Sequence, residues 1–90
     1  MKKHFIATLG VGSYGLTQYR TFEKDGDRTY ETRFIQDALL QFLDFENIDR
    51  ITIFVTDKAK TKNWDDTEQP GLESILKNHY PKCKIECLRI

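Results

Sequence analysis

His4-Phe5-Ile6-Ala7-Thr8-Leu9-Gly10-Val11-Gly12-Ser13-Tyr14-Gly15 is the stretch on which the fold turns: a short apolar run that ends in Gly-x-Gly-x-x-Gly. In a dinucleotide-binding unit this pattern opens a helix, whose N-terminus supplies the backbone donors and the dipole that hold a pyrophosphate. Here no helix follows. From Leu16 to Glu23, Thr17, Tyr19 and Thr21 occupy one alternation and Arg20 and Phe22 the other, which is strand chemistry. The run leads into Lys24-Asp25-Gly26-Asp27, and Asp-Gly between two strand-like runs signals a hairpin that returns through Arg28 to Glu31. The fingerprint is therefore formal. What it predicts physically is a backbone loop tolerant of phosphate, at the carboxyl end of a buried strand and followed by a hairpin.

Working outward, Thr32 is an N-cap candidate for a helix from Arg33 to about Asp44, with Phe34, Ile35, Ala38, Leu39, Phe42 and Leu43 on one face at helical spacing. Ile51-Thr52-Ile53-Phe54-Val55-Thr56 is almost continuously apolar and β-branched, as expected of a parallel strand covered on both sides. Pro70 can start a second helix through Leu72, Ile75 and Leu76 to about His79, and Pro81 stops it. Lys84 to Ile90 reads as a third strand. Strand, β-hairpin, helix, strand, helix, strand is an α/β order, a partial Rossmann-like parallel sheet and one half of a doubly wound domain. Three such strands under two helices leave an edge unpaired, so we expect residues 1–90 to be the N-terminal part of a single larger domain.

Composition sets bounds on function. A chain of 90 residues buries only about 60 to 65% of the surface its unfolded form exposes, so its stability depends on what covers it. Fourteen basic and 14 acidic residues cancel, so the whole chain has no field to attract nucleic acid non-specifically. Recognition of a phosphorylated ligand must then be local. Cys83 and Cys87, four apart on a strand, have Cα atoms roughly 13 Å from each other, beyond disulfide reach, and read as reduced core or edge residues. The basic and then apolar N-terminus is too short for a secretion signal and ends in glycines rather than a cleavage site, and the expected compartment is the cytoplasm.

Thr8-Leu9-Gly10-Val11-Gly12-Ser13-Tyr14, then Tyr19, Asp25-Gly26 and Thr32-Arg33-Phe34-Ile35-Gln36-Asp37-Ala38-Leu39, resemble the N-terminal half of the CRISPR-associated Rossmann-fold (CARF) proteins, in the branch of type III CRISPR accessory proteins. Val55-Thr56, followed by Ala59 and Asn63-Trp64, continues the likeness in order and approximate spacing, over nearly the whole chain. The resemblance implies a dimeric domain that binds cyclic oligoadenylate, the second messenger of antiviral type III systems, and so controls an attached effector. The family pattern continues into further strands, one ending in an Asp-x-Thr-His-Gly-like motif, that these 90 residues do not include. No cofactor is implied.

Ligands of open α/β sheets sit outside the carboxyl ends of the strands, near a reversal of strand order, which selects two loops. In the first, Gly10 and Gly12 let backbone amides approach phosphate, Ser13 can donate a hydrogen bond, and Tyr14 can stack on adenine. The same glycines also serve a tight strand exit that needs positive φ, and a tyrosine also serves as a rim residue. In the second, Thr56, Lys58, Asn63 and Trp64 are ligand candidates, with Lys60 and Lys62 alternating beside the aromatic. A solvated lysine face and a tryptophan anchored in the core are the competing readings. Arg33 and Gln36 are placed to reach the first loop. Asp65, Asp66 and Glu68 read as solvent-exposed acids favourable to the following helix, and no metal site is assigned. Neither His4 nor His79 pairs with an obvious nucleophile, so no catalytic residue is assigned. The expected function is a sensor module for cyclic oligoadenylate, working as a homodimer; the alternatives are a stand-alone ring nuclease and a truncated self-associating scaffold.

Overall fold

A computed structural model describes residues 3–21, 26–43 and 48–90. The chain divides into two compact units, Met1–Gly12 with Glu46–Ile90, and Ser13–Phe45. The fold is α/β.

The first unit is built on three parallel strands, β1 (Lys3–Thr8), β4 (Ile48–Val55) and β5 (Lys84–Arg89), in the order β1-β4-β5. Register pairs Phe5 with Ile51 and Ala7 with Ile53 on one side of β4, and Ile51 with Ile85 and Ile53 with Cys87 on the other. Because side chains alternate along a strand, all of these share one face. On that face Ile51, Ile53 and Val55 are fully buried, together with Leu72 and Leu76 of the helix α3 (Leu72–His79). Between β4 and α3 the chain makes one α turn, α2 (Asp57–Ala59), and runs straight into a π-helical segment, Lys60–Trp64. The ladder continues past the strand ends, from Leu9 N–H to the Phe54 carbonyl and from Ile90 N–H to the Val55 carbonyl.

Helix α3 begins at Leu72 rather than at Pro70, with Gly71 as its N-cap. Its missing side-chain cap comes from upstream: Asp66 accepts from Gly71 N–H at 2.8 Å and from the Ser74 hydroxyl at 2.7 Å. These bonds hold the Asp66 carboxyl below the usual carboxylate range, that from Gly71 contributing most. Lys77 and His79 lie in the last turn, where cations favour the helix dipole.

The second unit holds the antiparallel hairpin β2 (Thr17–Arg20) and β3 (Thr29–Thr32), paired Thr17 with Thr32 and Tyr19 with Tyr30, and the helix α1 (Ile35–Phe42). Gly26 takes a φ of 123°, which among the described residues is the one positive value. The expected turn residues Lys24 and Asp25 lie outside the described residues, as does Asp44, the expected helix end.

Thr32 is not the N-cap of α1. It closes β3, and its hydroxyl donates to Asp37 at 2.7 Å and accepts from Phe34 N–H at 3.4 Å, so the helix starts two residues later from an uncapped Phe34. The buried side of α1 keeps Phe34 and Ala38 of the expected face, both fully buried, but departs from the rest of it. Asp37, at 1% exposure, is drawn inside by the Thr32 and Tyr30 hydroxyls, while Ile35, Leu39 and Leu43 stay exposed. No helix among the described residues is long and apolar enough to cross a membrane.

Candidate functional site

At the carboxyl end of the parallel sheet, the loop after β1 and the helical segment after β4 are joined by one side chain. Asn63, 3% exposed on the π-helical segment, donates from Nδ2 to the carbonyls of Gly10 at 2.7 Å and Gly12 at 3.1 Å. The π geometry sets this up. One wide turn displaces the side chains that follow it, a device frequent at functional sites. Here it brings Asn63 and Trp64 inward together.

The direction of these bonds has a chemical result. In a trans peptide the carbonyl and the following N–H point opposite ways. With the Gly10 and Gly12 carbonyls drawn onto Asn63, the N–H groups of the same two peptides point the other way.

Gly12 takes no positive φ, and a Cβ added there would meet nothing within 4 Å. The strand-exit reading therefore fails to explain this glycine: its own fold requires of it neither an unusual φ nor space. Gly71 is the opposite case. A Cβ there would lie 2.3 Å from the Trp64 carbonyl oxygen and 2.4 Å from that of Asp65, so this glycine serves the close approach of α3 to the segment that carries Asn63.

The other residues of the second loop have local tasks. Thr56 caps α2 by accepting from Ala59 N–H at 3.2 Å. Lys58 and Lys62 are exposed, and Lys60 pairs with Asp65 at 3.1 Å. Trp64 is 2% exposed, which makes it a core anchor and takes its ring faces away from any ligand. Asp57 meets Arg89 at the surface, 2.8 Å apart.

In the second unit, Ser13 is exposed and Tyr14 half-buried, with the Tyr14 ring centroid 5.2 Å from that of Phe34. Arg33 donates from Nε to the Tyr14 carbonyl at 3.0 Å and lays its guanidinium 4.9 Å over the Phe34 ring. So Arg33 does reach Tyr14, whereas Gln36 is buried. The cysteines are free thiols, and burial pushes both above their ordinary range, which leaves neither activated as a nucleophile.

Sequence reasoning placed Asn63 beside the lysines as a ligand contact. It missed that the same side chain shapes the glycine loop, since the two are 53 residues apart and no local period links them. Compared with family models, with curated proteins and with solved structures, the chain matches none.

Proposed function

We propose that this chain is a regulatory binding module of the CARF type, which receives cyclic oligoadenylate in the cytoplasm and passes the signal to an effector. The reading rests on the sequence resemblance. The observation that supports it best is the Gly10–Gly12 loop, with its carbonyls held inward by Asn63 and Gly12 open on its outer side. A glycine that the fold does not need is well explained by something that approaches its backbone from outside.

In this reading the outward amide of Val11, in the first unit, meets a phosphate. Lys58 and Thr56, of the same unit, are further candidate contacts, and the buried Trp64 anchors the segment that carries Asn63. Two copies related by a two-fold axis would present equivalent loops to a ring of repeating units.

Calorimetric titration with cyclic tri-, tetra- and hexa-adenylate, with the mass in solution measured alongside, tests this. One ring per dimer is expected. Asn63→Ala is expected to weaken binding at least about tenfold, because the loop loses two hydrogen bonds from a buried donor. Failure of every ring to bind the folded chain, or full affinity in Asn63→Ala, removes the reading.

A further inference from the structure

The opposite end of the first unit carries a second polar arrangement. On the face of the sheet away from Ile51 and Ile53, register sets His4, Arg50 and Lys84 in one row across β1, β4 and β5, with Ile6, Thr52 and Glu86 in the next. Glu86 accepts from Arg50 Nε and, at 3.1 Å, from the Thr52 hydroxyl. The Arg50 bond first, with the Thr52 bond and the nearby charges of Arg50 and Lys84, holds the Glu86 carboxyl below its ordinary range and keeps it ionised.

An ionised carboxylate can only accept. Thr52, 3% exposed, therefore donates its one proton to Glu86, and its oxygen accepts from His4 Nε2–H at 2.6 Å. In the neutral imidazole this bond places the proton on Nε2 and leaves Nδ1 as the nitrogen able to accept from a ligand. His4, Lys3, Asp49, Arg50 and Lys84 line a cavity of about 340 Å³ at this amino end.

We propose that this cavity binds a small phosphorylated polyol, such as a sugar phosphate, at a site separate from the Gly10–Gly12 loop. Two kinds of group meet there. Lys3 and Lys84 supply positive charge for the phosphate, while Arg50 is already matched by Glu86. His4 Nδ1 and the Asp49 carboxylate are acceptors, and acceptors beside cations suit a ligand that carries hydroxyl groups on the same molecule as its phosphate. The pair of buried Thr52 and half-buried Glu86 acts only by positioning: it holds the imidazole in one orientation.

The test is a titration of the full chain with ribose 5-phosphate, inorganic phosphate and ribose, read by the amide and imidazole resonances in nuclear magnetic resonance spectra. Ribose 5-phosphate is expected to saturate with shifts centred on His4 and Lys84, and to bind at least about tenfold more tightly than either of the other two. Lys84→Gln, on an exposed side chain outside the His4–Thr52–Glu86 chain, should weaken it about tenfold, and His4→Phe similarly. The imidazole ¹⁵N pattern should show Nε2 carrying the proton, and Thr52→Val should abolish that preference and weaken ribose 5-phosphate. Binding of ribose 5-phosphate no tighter than that of inorganic phosphate, or unchanged in Lys84→Gln, overturns the proposal.

Discussion

Two glycines of the same chain carry opposite requirements. Gly71→Ala forces a methyl against two carbonyl oxygens of the backbone, which cannot rotate aside as a side-chain tip would, so the variant is expected to lose about 1 to 3 kcal/mol. Gly12→Ala, with open space around the added carbon, should stay within about 0.5 kcal/mol of the parent. Urea unfolding of both variants checks this, and the same Gly12→Ala protein should bind the cyclic ligand less well. Equal losses from the two substitutions would show that the Gly12 backbone is constrained. None of this difference was visible in the sequence, where Gly12 belonged to a conspicuous pattern and Gly71 only fell in the first turn of an expected helix. The distinction depends on what stands near each Cα, and Trp64 and Asp65 are neighbours of Gly71 in space by virtue of the wide π turn. Trp64 shows the same limit: a tryptophan beside alternating lysines reads equally as a binding surface or a core anchor until its burial is known.

Elements were more legible than single residues. The strands β1, β4 and β5 and the helix α3 follow from local signals, apolar β-branched runs and a Pro-bounded amphipathic stretch, which depend on nothing distant. Helix α1 departs from its pattern because its buried side is chosen by hydroxyls on the hairpin. Tyr30 and Thr32 hold Asp37, and a hydrogen-bonded polar residue inside overrides the apolar stripe of Ile35, Leu39 and Leu43. The start of α3 depends on Asp66 in a comparable way, and here pH gives a test. A carboxyl group whose folded pKa is lowered contributes stability that is complete above the unfolded value and is lost as pH falls through the folded one. Thermal midpoints of the parent and of Asp66→Asn should therefore differ by a constant amount near neutrality, and the gap should narrow as the pH falls below about 4. A gap that widens toward acid would mean that the aspartate does not act in its ionised form.

For the whole molecule, strand pairing predicts an order of local stability. Central β4 is paired on both sides and carries Ile51, Ile53 and Val55, all fully buried, whereas β2 and β3 form a sheet of only two strands. Two-stranded hairpins are marginal alone, so amide hydrogen exchange should be slowest at Ile51, Ile53 and Val55 and faster by at least about tenfold along Thr17–Arg20. Comparable exchange in the hairpin would show that it draws on more than its own pairing. The parallel sheet order β1-β4-β5 runs in one direction, so the reversal of strand order that marks many ligand sites does not fall among these three strands. Only their carboxyl ends remain as a guide, and they lead to the Gly10–Gly12 loop. That loop leaves the ribosome ahead of the side chain that gives it its shape, which is made 53 residues after Gly10. During synthesis its sequence therefore exists well before its geometry, and a nascent chain that stops short of Asn63 carries the glycines without the clamp that orders them.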